Sequence, residues 1–297
     1  MQTFTYKRVG DLQIQADVYT QGERQQRPVL VWIHGGALIM GHRELIDSRL
    51  KDELLGRGYA FVSIDYRLAP ETQLPQIIED VTDALRWVHD EGPELFQADP
   101  RAIAVAGSSA GGYLTLVTGY RAKHRPVALV SFWGYGEIVG PWYSEPSPHP
   151  RHHQSKLTRE QAFAQVSGPP ISDARQRRGD GSGFYQFCRQ QGSWPIAVTG
   201  WNPKTEPDKF VPYMPLKNVT ADYPPTVFIH GTLDTDVPYE ESVLMSRELA
   251  RNRVEQRLIS INEAEHGLPG VNPEIINNNY AHTLEFLERQ IKKAQGR

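Results

Sequence analysis

Two periods of apolar and polar residues take turns along this chain. Near its start Leu12, Ile14, Ala16 and Val18 alternate with polar positions, the period of a half-buried strand. Gly10-Asp11 supplies a turn before them, so residues 3–19 read as a hairpin. Near-continuous apolar runs follow at 28–33, 60–64, 102–106, 127–132 and 226–229, with 257–261 as a further candidate. Short runs without a polar face describe strands covered on both sides, as in a parallel sheet. Between them, Ile77, Ile78, Val81, Ala84, Leu85 and Val88 fall at spacings of one, three and four, the stripe of an amphipathic helix over 75–89. Residues 110–120, 238–251 and 273–294 read as helices too. Strand, loop and helix in repeated alternation predict an α/β fold, a mostly parallel central sheet flanked by helices. Functional loops then belong at the carboxyl ends of the strands.

One stretch breaks the rhythm. Between Phe132 and Thr226 no buried strand is evident, and Pro141, Pro146, Pro148, Pro150, Pro169 and Pro170 punctuate the segment. A structureless loop of that length is unusual in a compact domain. Thr158-Arg159-Glu160-Gln161 has the form of a capping box, which predicts a short helix through Val166. Ser182 is placed to cap another running to about Gln190. Residues 134–215 are therefore expected to form a helical cap inserted late in the sheet, with 1–133 and 216–297 as the core. It serves either as a lid over a cleft or as scaffold decoration.

Composition narrows the class. In 297 residues, 32 Lys and Arg stand against 35 Asp and Glu, a formal charge of −3 that offers no global attraction to nucleic acid or an anionic membrane. With 39% hydrophobic and 23% charged residues the chain has the make-up of a globular protein. The single Cys188 can form neither an intrachain disulfide nor a thiolate metal site by itself. The first residues carry no apolar leader-like run and no stretch is long enough to span a bilayer, so a cytoplasmic protein is the expectation. An exposed sheet edge or the final helix offers a surface for a homodimer.

The strongest chemical signal is Gly107-Ser108-Ser109-Ala110-Gly111. It follows a buried run and opens a helix, the context of a nucleophile elbow with Ser109 at its centre. Serine is a poor nucleophile at neutral pH and needs a base, itself oriented by an acid. His266, after the sixth run, is the histidine best placed to be the base. For the acid, Asp234 and Asp236 both follow the fifth run and Glu265 adjoins His266. Direct adjacency rarely lets a side chain brace its neighbour's ring. Asp236 is placed to cap a helix opening at Val237-Pro238, which favours Asp234 as the orienter and leaves Asp236 as the alternative. Negative charge developing on a reacting carbonyl needs waiting backbone donors. Gly35 and Gly36, after the first run, and the N–H of Ala110 are the candidates. The aromatic residues Trp142, Tyr143, Phe184, Tyr185, Phe187, Trp194 and Trp201 either line an apolar pocket or form the core of the insertion. The scattered His and Asp residues lack a metal-ligand pattern, and no phosphate-gripping glycine loop is present, so neither cofactor nor metal is expected.

Taken together, these motifs resemble the α/β-hydrolase superfamily, in particular its hormone-sensitive-lipase-like esterase branch. His34-Gly35-Gly36-Ala37 is similar to that branch's HGGG loop, with Ala37 in place of the last glycine. Asp65-Tyr66-Arg67-Leu68-Ala69-Pro70-Glu71 resembles its DYRLAPE segment, with Pro75 and Glu79-Asp80 at the downstream positions. The resemblance implies Ser109 as nucleophile, Asp234 as acid, His266 as base, and Gly35, Gly36 and Ala110 as oxyanion donors. It also implies cofactor-free hydrolysis of short or medium acyl esters of a small molecule. An amidase, peptidase or lactonase on the same triad, or a ligand-binding relative without turnover, is the alternative.

Overall fold

The computed structural model describes residues 1–296. Eight strands form one sheet: β1 (Gln2–Val9), β2 (Leu12–Tyr19), β3 (Arg27–Ile33), β4 (Ala60–Ile64), β5 (Ala98–Ser108), β6 (Leu129–Phe132), β7 (Thr226–Gly231) and β8 (Gln256–Ile261). Their spatial order is β1-β2-β4-β3-β5-β6-β7-β8. The opening hairpin pairs antiparallel and β2 meets β4 antiparallel, whereas every other neighbouring pair is parallel. The central strands β3, β4, β6 and β7 are buried along their whole length, which is why they read as continuous apolar runs.

Helices cover both faces. They are α1 (Ser48–Gly56), α2 (Leu74–Asp90), α3 (Gly92–Phe96), α4 (Ala110–Arg121), α5 (Pro141–Ser144), α6 (Arg159–Phe163), α7 (Ser182–Gln191), α8 (Trp194–Thr199), α9 (Glu240–Arg251) and α10 (Pro273–Ala294). Two apolar layers result. One packs Val29, Val31, Ile33, Val62 and Ile64 against α2, α4 and the cap. The other packs Leu30, Trp32, Phe61, Ala104 and Val130 against α1 and α10. Residues of opposite parity on one strand enter opposite layers, as the two-residue period of a strand requires.

The insertion lies between β6 and β7 and holds α5 to α8 with short 3-10 turns. The capping box at α6 is present in both directions: Thr158 Oγ1 accepts from Gln161 N (3.2 Å), and Gln161 Oε1 accepts from Thr158 N (3.0 Å). The helix is shorter than expected and stops at Phe163. Ser182 does not cap α7; Gly181 occupies that place at φ +90°, and Asp180 Oδ1 accepts from Ser182 N at 2.9 Å. Helices α1, α3, α5 and α8 go beyond the sequence expectation: α1 has only Leu50 and Leu54 fully buried, and the other three are four to six residues long.

The Asp65–Glu71 segment, which follows β4, is a joint between layers. Asp65 accepts from Arg43 N and Nη1, both at 2.7 Å. Arg67 grips Asp80 of α2 through Nε (2.7 Å) and Nη2 (2.8 Å), and Lys7 of β1 reaches the same carboxylate at 2.7 Å. Asp80 is fully buried, so removing it strands the Arg67 guanidinium, whereas Lys7 keeps Asp83 at 2.7 Å. Breaking a buried pair from one side typically costs about 3–5 kcal/mol. Asp80→Ala is expected to lower the unfolding free energy by about that amount, measured by urea denaturation.

Candidate active site

The carboxyl ends of five parallel strands build one cleft. His34-Gly35-Gly36 follows β3, Ser109 follows β5, Trp133 follows β6, Asp234 follows β7 and His266 follows β8. A cavity of about 580 Å³ is lined by Gly35, Gly36, Ser109, Trp133, Asp236 and His266 among others.

Ser109 has φ +56° and ψ −120°, a conformation that L-residues with a Cβ rarely adopt. A backbone held in such a region costs on the order of 1–3 kcal/mol and persists only where its surroundings enforce it. The flanking glycines show the enforcement. A Cβ on Gly111 would stand 2.0 Å from the carbonyl oxygen of Ile33, and one on Gly107 would stand 2.4 Å from that of Gly111. The backbone of the elbow thus lies directly against the end of β3. Ser109 N donates to Phe132 O at 2.8 Å, tying the elbow to β6 as well.

The loop after β3 lies against this elbow. A Cβ on Gly35 would meet the Ser108 carbonyl oxygen at 2.9 Å and Ser109 Cβ at 3.2 Å, so only glycine allows the approach. Gly36 has φ +110°, and its carbonyl accepts from Ile39 N (2.9 Å) and Met40 N (2.7 Å), closing a tight turn. Ala37, in the place of a third glycine, also sits at positive φ, +55°. His34 is fully buried, and burial pushes its pKa down to about 4. Its neutral ring stacks on Tyr66 at 4.3 Å, and the Tyr66 hydroxyl donates to the His34 carbonyl at 3.0 Å. Ala110 opens α4, and the first amides of a helix have no intrahelical acceptor.

Asp234 is an acceptor spent in full. Its Oδ1 accepts from the amides of Asp236 (2.9 Å) and Val237 (2.8 Å). Its Oδ2 lies 2.7 Å from His266 Nδ1 and 3.2 Å from His230 Nε2. An ionised carboxylate can only accept, so Nδ1 of His266 carries the proton and Nε2 is left free to act as a base. Burial opposes ionisation of Asp234, but the hydrogen bonds from His230 and His266 outweigh it and hold its pKa at about 2. Burial likewise opposes charging His266. The Asp234 hydrogen bond, with the charges of Asp236 and Asp234, prevails and raises its pKa above the ordinary histidine value.

The division of labour between the two aspartates differs from the sequence expectation. Asp234 itself turns the loop after β7, and α9 begins only at Glu240, with Tyr239 at its N-cap. Asp236 caps nothing. Its Oδ1 accepts from Tyr185 OH (2.6 Å), Arg189 Nη1 (2.8 Å) and His152 Nε2 (2.9 Å), all from the insertion. Glu265 joins the two loops, accepting from Thr235 N (2.7 Å), Thr235 Oγ1 (2.5 Å) and His266 N (2.8 Å).

A second serine–histidine–aspartate chain runs through the cap, from Ser147 Oγ to His152 Nδ1 (2.7 Å) and from His152 Nε2 to Asp236 Oδ1. Ser147 is buried, follows no strand, and also holds the His149 amide at 3.3 Å. That chain locks Asp236 to the cap, whereas Ser109, half-buried, lines the cavity together with His266.

Of the aromatic candidates, Tyr185 lines the cavity with Ser109 and His266. Tyr143 stacks between Trp142 (3.7 Å) and Trp194 (3.9 Å) inside the cap, and Trp194 Nε1 donates to Ala37 O at 2.9 Å. Phe184 and Phe187 pack on Phe163, and Trp201 packs on Phe210. The apolar lining near Ser109 instead comes from Met40, Leu45 and Trp133, which sequence reasoning missed. Trp133 directly follows a buried strand, and that position was the available signal. Cys188 is buried, which pushes its thiol up to about 12, and it takes no part.

The BD-FAE family model matches residues 16–249. Among protein relatives, the non-reducing polyketide synthase adrD of Penicillium rubens is 29% identical over 89% of this chain, which spans only 12% of that protein's length. Esterase LipI of Mycobacterium tuberculosis is 38% identical over 37% of this chain and 35% of its own length. Among solved structures, a protein of unknown function from Staphylococcus aureus Mu50 superposes with a TM-score of 0.79 at 22% identity, covering 98% of this chain and 100% of its own. The apo form of Thermogutta terrifontis esterase 2 gives a TM-score of 0.69 at 18% identity, covering 97% and 94%.

Two outcomes test the geometry without reference to turnover. Asp234→Asn removes the charge that favours the imidazolium, so the His266 pKa measured by NMR titration is expected to fall. Gly111→Ala drives a methyl into the Ile33 carbonyl; overpacking of this kind costs about 1–3 kcal/mol or more, read as a lower urea midpoint.

Proposed function

The chain belongs to the BD-FAE family, on an α/β-hydrolase fold, and from that premise we propose that it cleaves carboxylic esters of short to medium acyl chain with Ser109 as nucleophile. The observation that carries the reading is the pairing of His266 Nδ1 with buried Asp234 Oδ2 at 2.7 Å, with His266 lining the same cavity as Ser109. In this mechanism His266 Nε2 takes the Ser109 proton as Oγ attacks the ester carbonyl. Asp234 holds the imidazole and stabilises its charged form. The amides of Gly35, Gly36 and Ala110 receive the oxyanion; one such donor is typically worth about 3 kcal/mol. His266 then protonates the leaving alcohol and activates water to release the acid. The apolar contacts of Met40, Leu45 and Trp133 favour a modest acyl group.

The His34–Ala37 loop and the Asp65–Glu71 segment favour placement beside the hormone-sensitive-lipase-like esterases. In this chain the second segment supports the first, through Tyr66 under His34 and through Leu38 O, which accepts from Ala69 N at 2.8 Å.

A fluorophosphonate probe is expected to label the wild type and Ser147→Ala but not Ser109→Ala. Labelling that survives Ser109→Ala would overturn the assignment. With p-nitrophenyl butyrate, Ser109→Ala is expected to lose roughly 10³-fold or more in kcat, and the matching anilide to turn over far more slowly than the ester. Because His266 must be neutral to act, and its pKa is raised, kcat/KM should fall with decreasing pH through a limb above the ordinary histidine value.

A further inference from the structure

Asp236 has one carboxylate oxygen saturated and the other spare. Tyr185, Arg189 and His152 all donate to Oδ1, and Arg189 also donates to the Asp236 carbonyl at 3.0 Å and to Tyr185 OH at 2.7 Å. These contacts lock the side chain in one orientation. Among the described residues Oδ2 accepts no hydrogen bond, and it lies 3.7 Å from His266 Nε2. That separation is too long for a direct hydrogen bond. It suits a single small molecule placed about 2.8 Å from both atoms. The position is also where two cavities meet. One, of about 580 Å³, carries Ser109, and the other, of about 570 Å³, opens under the cap; both are lined by Asp236 and His266.

We infer that Asp236 is a second acid of the site, whose spare oxygen holds the water that hydrolyses the acyl-enzyme. The inference rests on the ester-hydrolase reading above. Neutral His266 presents a lone pair at Nε2, and Asp236 Oδ2 presents another, so water donates one hydrogen to each. Its own lone pair is then left to face the acyl carbonyl on Ser109. As the water oxygen bonds to the carbonyl carbon, one proton passes to Nε2 and the carbonyl π pair moves onto the oxygen held by the backbone amides. Collapse breaks the bond to Ser109 Oγ, which recovers the proton from Nε2, and the carboxylic acid leaves. Asp236 gains no proton; it keeps the second hydrogen of the water throughout. A leaving alcohol brings no such pair of hydrogens, so acylation does not use this contact.

Asp236→Asn is nearly isosteric. Its carbonyl oxygen can still serve Tyr185, Arg189 and His152, which places an NH₂ where Oδ2 was, and that group cannot accept from water. In stopped-flow assays with p-nitrophenyl butyrate the lost charge beside His266 weakens the base in acylation and deacylation alike. The quantity that decides is therefore the ratio of the two rates, with the acylation burst slowing by much less than deacylation. Deacylation is expected to slow about 10- to 100-fold, with the butyryl-enzyme accumulating by mass spectrometry. Equal slowing of both steps, or a raised KM with kcat unchanged, would overturn the inference in favour of a cap anchor or an alcohol-binding group. A second measurement needs no variant. Methanol has one hydroxyl hydrogen and cannot serve both acceptors, so the wild type is expected to form less methyl butyrate than the methanol share of the solvent predicts. Methanolysis in proportion to concentration or above it would count against Asp236. If the wild type shows neither burst nor labelling at Ser109, the ester-hydrolase reading itself fails; if it shows both and Asp236→Asn matches it, only this inference does.

Discussion

The first turn of α4 rests on the end of β3 at a distance that no side chain survives. Gly107 and Gly111 leave room for the Ile33 carbonyl, and Gly35 leaves room for the elbow on the other side. Three backbone segments therefore touch with nothing between them. This contact turns Ser109 outward at positive φ and brings the Gly35 and Gly36 loop beside it. The remaining geometry is arranged around that contact. The sheet supplies the parallel strands whose ends converge there, and Tyr66, Trp194 and Ala69 hold the loop from outside by hydrogen bonds and stacking.

Electrostatics then separates two carboxylates that stand two residues apart. Asp234 is surrounded by two backbone amides and two imidazoles, so its charge is satisfied inside the core and both oxygens are committed. Asp236 faces the cap, where a guanidinium, a phenol and an imidazole share one of its oxygens. Burial opposes its ionisation, but those donors and the charge of His266 keep its pKa well below the usual carboxylate range. His266 thus lies between two anions, one on each ring nitrogen, at 2.7 and 3.7 Å.

The cap is fastened to the core by charged contacts as well as by its aromatic interior. Arg177 reaches Glu71 and the carbonyls of Ile39 and Ala69, so a single cap side chain ties the loops after β3 and β4 together. Arg151 bonds Glu265 at 3.1 Å, beside His266. Such tethers make the position of the cap part of the shape of the cleft. Trp142, Tyr143 and Trp194 stack into the interior of the insertion, and Tyr185 alone among the seven aromatic candidates reaches the cavity with Ser109.

What could be read from the chain alone was whatever a few neighbouring residues decide. The apolar runs at 60–64 and 257–261, the stripe of α2 and the glycines around Ser109 each express a local rule: strand burial, helical period, or the steric need of a sharp turn. The glycine loop and elbow were legible because backbone crowding leaves its mark in residue type. Only the tertiary structure decided the rest. That Asp234 rather than Asp236 turns the loop after β7, that Glu265 joins two loops, and that Trp133 and Met40 line the cleft all depend on contacts between segments far apart in order. Short cap helices such as α8 carry too few residues to show a period. A side chain's partners are set by how layers stack in space, and no local pattern records that choice.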